Sequence, residues 1–239
     1  MKALIDLHTH TLSSGHGFST LKENVEEAAK KGLLVLGTSD HSIRMPGTTQ
    51  RFFFENYKVI RDEILGVKIL AGIEGNIYDY EGNIDVDPSL GKNLDYIIAS
   101  LHSHCIERGS VEENTNAVIG AMKNPYVKII GHPDDSRFPL DYDKVVYHAK
   151  KYEVALELNN SSLLSNSTRK NGRENAKILL EKAREYKVQV ILGSDSHIYY
   201  DVGRFDEAYE LLEEIKFPEE LVLNNDLKKL SYVLIDKNL

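Results

Sequence analysis

Near its start the chain reads Asp6-Leu7-His8-Thr9-His10, and close to its other end it reads Gly193-Ser194-Asp195-Ser196-His197. Each stretch places ligand-type side chains two residues apart, a spacing that turns both to one side of an extended backbone. Imidazole together with carboxylate suits Zn²⁺, Fe²⁺ or Mn²⁺ far better than Ca²⁺, so the chemistry on offer is metal binding and metal-assisted hydrolysis. A single His-x-His is weak, because histidines two apart also arise in ordinary loops. Their distribution along the chain says more. Seven of the nine histidines (His8, His10, His16, His41, His102, His132, His197) fall at or just past predicted strand ends, in company with Glu74 and Asp195. One such histidine alone would more often be a surface or satisfied core residue, but the set points to metal. His148 keeps the plain reading, since Tyr142 to His148 has the pattern of an amphipathic helix with the histidine off its apolar face. His104, two residues past His102, either lines the pocket as a proton donor or merely flanks the ligand.

The elements that must position these residues alternate strand with helix. Short apolar strands are predicted at Ala3–Leu7, Leu33–Thr38, Lys68–Ile73, Tyr96–Leu101, Val127–Gly131, Val154–Leu158 and Gln189–Leu192. Thr20 with Glu23 and Ser110 with Glu113 fit capping boxes, and Gly32 and Asn124-Pro125 end the helices that follow. Further helices are expected at Arg51–Ile64, Tyr142–Lys151, Arg173–Tyr186, Phe205–Ile215 and Asp226–Ile235. Near-continuously apolar strands separated by helices imply a parallel sheet. An open doubly wound sheet would spread the strand ends along a crevice, whereas a barrel gathers them on one rim. A distorted seven-stranded (βα) barrel of the TIM-like α/β class, one domain over residues 1–239, therefore fits better. Gly15-His16-Gly17 has Thr20 where a dinucleotide fingerprint needs its third glycine.

Composition narrows the partners. The net charge of −8 argues against non-specific nucleic-acid binding, and three divalent ions would bring it to about −2. No apolar run reaches the roughly 20 residues of a membrane span, and Met1 to Leu7 cannot form a signal-peptide core, so a cytoplasmic location is expected. Cys105 is the only cysteine; it excludes an intrachain disulfide and reads as packing rather than as a nucleophile. Oligomeric state is not legible.

Several stretches together resemble one family: Asp6 to Thr11, Ser39-Asp40-His41, Gly72-Ile73-Glu74, Gly131-His132-Pro133 and Gly193 to His197. They are similar to the motifs of the PHP (polymerase and histidinol phosphatase) superfamily. Gly15 to Leu21 and Ala155 to Ser162 bring the match closest to its stand-alone YcdX-type phosphatases. The resemblance implies a distorted seven-stranded barrel with three metal ions, usually zinc, and phosphoesterase activity. Carried over by position, it implies one ion on His8, His10, Glu74 and Asp195, and a second on Glu74, His102 and His132. The third would sit on His16, His41 and His197. Around Leu101 to Cys105 the chain departs from the pattern, which bears on the pocket wall there.

The expected reaction is hydrolysis of a small phosphate monoester. In it a metal-bound hydroxide, held by the cluster of which Glu74 and Asp195 are part, attacks phosphorus in line while the cations neutralise the phosphoryl oxygens. Asp6 and Asp40 stand where they could accept the second N–H of a ligating imidazole, or simply solvate a strand end. Among Arg44, Arg108, Arg137, Arg169, Lys170 and Arg173, the loop around Arg169 is the most cationic, and Arg169 is the candidate phosphate contact. Asn159 is a candidate for hydrogen bonding substrate. Three alternatives stand beside this reading: a histidinol-phosphate phosphatase, a phosphodiesterase or 3′-5′ exonuclease, and a metal-stabilised interaction module without activity.

Overall fold

The computed structural model describes residues 2–236. Met1 and residues 237–239 of the domain expected over 1–239 lie outside the described residues. Among the described residues there are eight strands: β1 (Ile5–Asp6), β2 (Val35–Thr38), β3 (Glu63–Ile64), β4 (Val67–Ile77), β5 (Tyr96–Leu101), β6 (Val127–Ile130), β7 (Ala155–Asn159) and β8 (Val190–Gly193). Seven pair in the order β1-β2-β4-β5-β6-β7-β8, all parallel, and β3 pairs antiparallel with β4. Each of the seven predicted strands is there, shifted by one or two residues at some ends, with β4 running on past its predicted end at Ile73 to Ile77.

Around the sheet lie α1 (Leu21–Lys31), α2 (Arg51–Glu55), α3 (Pro88–Gly91), α4 (Val111–Met122), α5 (Tyr142–Tyr152), α6 (Asn160–Leu163), α7 (Gly172–Tyr186) and α8 (Asp206–Glu214). Both capping boxes form, Thr20 with Glu23 and Ser110 with Glu113, and Gly32 ends α1 in the left-handed region at φ 75°. Two predicted helices do not form as expected. The Arg51–Ile64 helix stops at Glu55, and a 3₁₀ turn and β3 take over the rest. The cause is Leu65-Gly66: both have positive φ, 54° and 77°, the geometry of a tight hairpin turn, so the chain folds back onto β4. The Asp226–Ile235 segment is a 3₁₀ stretch, Leu227–Val233, which still presents Leu230, Val233 and Leu234 on one buried side. Among the described residues no helix is long and apolar enough to cross a membrane.

The barrel closes by a route other than a ladder. At the rim Thr9 and Ser196 form a lone parallel bridge, with the His10 N–H donating to the Ser196 carbonyl at 2.8 Å. Lower down the Asn224 side chain does what a strand would do. Its Oδ1 accepts from Leu192 N at 2.7 Å, and its Nδ2 donates to the carbonyls of Ile5 and Leu192 at 2.8 and 2.9 Å. The result is a nearly closed barrel.

Alternation along the strands sorts the interior into two levels. Ile5, Leu7, Val35, Leu70, Tyr96, Ile98, Ile129, Ala155 and Ile191 form an inner apolar cluster, joined by Leu223, Leu230 and Val233. A second cluster fills the space between sheet and helices. The Tyr96 ring crosses the inner layer and its hydroxyl donates to the Leu7 carbonyl at 2.6 Å. A Cβ on Gly37 or Gly72 would overlap that ring, so glycine at both positions is a steric requirement. Two residues beyond Gly72, on the same side of β4, the apolar layer gives way to Glu74.

Candidate metal centre

Glu74 is wholly buried and sits at the middle of the histidines. Its Oε1 lies 2.9 Å from His132 Nε2 and 3.2 Å from His102 Nε2. Its Oε2 lies 2.7 Å from His41 Nδ1, 3.3 Å from His8 Nε2 and 3.5 Å from His10 Nε2. Asp195 Oδ1 faces the same pair, 3.2 Å from His10 Nε2 and 3.6 Å from His8 Nε2. The His16 ring stacks against those of His41 and His197, with centroids 5.0 and 4.6 Å apart. All nine candidate ligands therefore converge on the C-terminal rim of the barrel. Three sets of ligand atoms are mutually close enough to share an ion: His8 with His10 and Glu74, His41 with Glu74 and His102, and His10 with His41 and His197. The groups abut one another, with His10, His41 and Glu74 each in two of the three sets.

Hydrogen bonds fix which ring nitrogen is free. His8 Nδ1 is 2.6 Å from Glu157, His10 Nδ1 is 2.9 Å from Ser14 Oγ, His102 Nδ1 is 2.8 Å from Asn76 Oδ1, and His197 Nδ1 is 3.0 Å from the Asp195 carbonyl. Each partner accepts the Nδ1 proton, which leaves a lone pair on Nε2 directed inward. The Nε2 atoms of His8, His10 and His197, together with His41 Nδ1 and Glu74 Oε2, are buried without any hydrogen-bond partner among the described residues. A cluster of unpartnered lone pairs in a dry interior is costly unless a cation joins it, and the donor set of imidazoles and carboxylates suits Zn²⁺, Fe²⁺ or Mn²⁺. The residues fit a metal centre.

The electrostatics agree. Burial, reinforced by His197 and His41, holds His10 well below the ordinary histidine pKa and brings His16 to about 4. Burial likewise lowers His102 and His197, so all four are held neutral, as ligands must be. Against burial, the carboxylates of Glu157, Glu74 and Asp195 raise His8. Burial alone would raise Glu74 and Asp195, but the neighbouring His41, His8 and His102 keep Glu74 well below the usual range, and His8 and Arg169 do the same for Asp195.

The supports differ in part from the sequence expectation. Neither Asp6 nor Asp40 meets an imidazole. Asp6 accepts from the backbone N–H groups of His8, Ser194 and Gly203, tying the two chain ends below the site. Asp40 accepts from Thr11 N, Thr11 Oγ1 and Ser14 Oγ at 2.7 to 2.8 Å, so its influence on His10 passes through Ser14. Short loop side chains reach Asp40 before any ring does.

Glu157 is the residue that sequence reasoning left without a role. It is buried in β7, with Oε1 on His8 Nδ1 and Oε2 accepting from His132 N at 2.7 Å and Asn159 Nδ2 at 3.0 Å. A Cβ at Gly193 would overlap this carboxylate. The available signal was a charged residue inside the apolar run Ala155-Leu156-Glu157-Leu158, where a partner is obligatory. Its bond to His132 also holds an uncommon backbone, since His132 has φ 28°.

Beside the centre opens a cleft of about 760 Å³, lined in part by His16, His102, Arg169 and Asp195. Arg169 Nη2 is 2.7 Å from Asp195 Oδ2, and its Nη1 reaches Asn159 Oδ1 and Ser162 Oγ. Asn159 in turn donates to Asp195 Oδ2 at 3.3 Å. His104 is exposed at the mouth of the cleft. Arg137 lines the cleft on an ion pair with Asp135, Arg44 covers the Tyr78 ring, and Arg173 pairs with Glu207 and Glu214. His148 bonds within α5, to the Lys144 carbonyl, away from the site.

A nearly closed parallel barrel with a histidine and carboxylate cluster at its C-terminal rim is a metal-site barrel of the TIM-like class. The chain belongs to the PHP domain family, whose profile matches residues 6–216. It is 47% identical over 238 residues to a probable phosphatase of Thermoanaerobacter sp. strain X514, covering 99% of this chain and 96% of that one. It is 48% identical over 238 residues to a probable phosphatase of Caldanaerobacter subterraneus subsp. tengcongensis, covering 99% and 93%. Among solved structures, the histidinol phosphate phosphatase of Lactococcus lactis, complexed with zinc, L-histidinol and phosphate, matches with a TM-score of 0.60 at 17% identity, over 91% of this chain and 95% of that one. A putative histidinol phosphatase from Listeria monocytogenes matches with a TM-score of 0.61 at 17% identity, over 86% and 99%. At that identity the two structures share the fold.

Proposed function

We propose that the protein is a phosphatase hydrolysing a small phosphate monoester at a centre of three divalent ions, zinc foremost and Mn²⁺ or Fe²⁺ as alternatives. Residues 1–239 would act as one domain, in the cytoplasm. The observation that carries this reading is the set of buried, unpartnered ligand atoms around Glu74 and Asp195 at the floor of an open cleft. The relatives named probable phosphatases support the reaction class. The proposed partition is His8, His10, Glu74 and Asp195 for one ion, Glu74, His102 and His132 for another, and His16, His41 and His197 for the third. Cations there would neutralise phosphoryl oxygens and lower the pKa of water.

The chain's own groups do the rest. Arg169, held by Asp195, Asn159 and Ser162, presents a pre-oriented guanidinium to a phosphoryl oxygen. Asn159 keeps Asp195 and Arg169 in register. His104, which lines the cleft, would hand a proton to the leaving oxygen. The net charge of −8 favours a small substrate over nucleic acid. Phosphate release from p-nitrophenyl phosphate by metal-loaded protein tests the reading. Activity with Zn²⁺, Mn²⁺ or Co²⁺ is expected, and Glu74→Gln should abolish it; silence across all three at confirmed occupancy refutes it.

A further inference from the structure

We infer that the leaving group is a neutral polyol, so that the substrates are sugar or polyol phosphates rather than histidinol phosphate or nucleotides. This rests on the phosphatase reading and adds the substrate class. A cleft of about 760 Å³ far exceeds the room a phosphate needs, so its outer wall must meet the alcohol part of the ester. On that wall stand Ser103, Ser161, Asn166 and Thr168. None of their side chains has a hydrogen-bond partner within the protein among the described residues, and three of the four are exposed. Neutral donors and acceptors spaced around a rim are what a ring or chain of hydroxyls requires.

The carboxylates on the same wall each face a guanidinium. Both oxygens of Asp135 are used: Oδ1 accepts from Arg137 N and Lys170 N, and Oδ2 takes Arg137 Nε and Nη2. Asp201 lies 3.3 Å from Arg204 Nη1. An aminoalcohol such as histidinol carries an ammonium that needs a carboxylate with charge to spare; Asp135 is compensated on both oxygens, and Asp201 in part, by a guanidinium it shares with Asp206. A nucleobase gains most of its binding from stacking on an aromatic face. Among the described residues the cleft wall has no Phe, Tyr or Trp, and of its histidine rings only that of His104 is not a candidate metal ligand.

The test is a steady-state comparison on the metal-loaded enzyme using glucose 6-phosphate, glycerol phosphate, histidinol phosphate, AMP and p-nitrophenyl phosphate. The expected result is a kcat/KM for one of the two polyol phosphates about tenfold or more above those for histidinol phosphate and AMP. Asn166→Ala and Thr168→Val should each raise KM for that polyol phosphate about five- to tenfold, and by more than they raise it for p-nitrophenyl phosphate. Preference for histidinol phosphate or AMP, or equal KM changes for polyol and p-nitrophenyl esters in the variants, overturns this inference alone. No hydrolysis of any ester, p-nitrophenyl phosphate included, overturns the phosphatase reading and this inference with it.

Discussion

Replacing Glu157 by glutamine removes one charge and almost no volume, yet it should unload two of the three proposed metal positions. Three donors converge on this carboxylate: His8 Nδ1–H at 2.6 Å, His132 N–H at 2.7 Å and Asn159 Nδ2–H at 3.0 Å. Glutamine has a single acceptor oxygen. If it stays on His8, the new amide faces the His132 and Asn159 donors; if it turns to them, the amide faces His8 and destroys the tautomer that leaves Nε2 free. Either orientation strands at least one buried donor, a cost of about 1–3 kcal/mol, and weakens a charge-assisted bond. Loss of an outer carboxylate of this kind typically lowers metal affinity by about 10–100-fold. His8 and His132 belong to different proposed positions, so both should weaken, while His16, His41 and His197 make no contact with Glu157. Metal content measured by mass spectrometry after dialysis against graded chelator should show the variant losing two equivalents at concentrations that leave the wild type full. Retention of three equivalents with wild-type affinity would refute the reasoning.

Asn224→Ala leaves the Leu192 N–H and two carbonyls without partners at the barrel seam, a loss of about 2–4 kcal/mol that should lower the melting temperature by about 5–15 °C. Calorimetry of the metal-free protein checks it, and an unchanged transition would mean the seam is held elsewhere. Chelation should speed amide exchange at His10, whose N–H crosses the seam to Ser196, more than at Tyr96 in the inner core; equal exchange would disconnect the centre from closure. Cys105 has its thiol pushed up to about 12 by burial, with Asp85 and Glu74 adding to it. A raised thiol pKa keeps the thiolate scarce until strongly alkaline pH, so alkylation by iodoacetamide at pH 8 should run about a thousandfold slower than for a free thiol. Modification at an ordinary rate would show the site to be open.

The candidate ligands were legible because strand ends and ligand types largely coincide in a linear chain. An apolar run that stops at His102 or His132 marks both where a strand ends and what stands on the rim, and Glu74 interrupts the apolar run of β4 at the same level three residues before that strand ends. Partners set by loop geometry were not legible. Asp40 is spent on Thr11 and Ser14, which depends on how the turn Leu12–Ser14 curls back. Glu157 looked like one more strand residue until β7 lay beside β8 and His132. The β3 hairpin was hidden because a helical pattern through Ile64 gives no hint that Leu65 adopts positive φ.

The second dyad shows how one backbone angle redirects chemistry. In extended chain, Asp195 and His197 would point the same way, as His8 and His10 do. Asp195 instead has φ 52°, a conformation that costs a non-glycine residue about 1–3 kcal/mol unless the surroundings impose it. Here they do: Arg169 and Asn159 hold Oδ2, and the Asp195 carbonyl takes the His197 Nδ1 proton. The carboxylate is thereby turned to His8 and His10, while the His197 ring is sent to stack on His16 and His10, at centroid distances of 4.6 and 4.2 Å. A motif that in a straight strand would face one point is bent to reach two groups of candidate ligands, and the strain in Asp195 is the means.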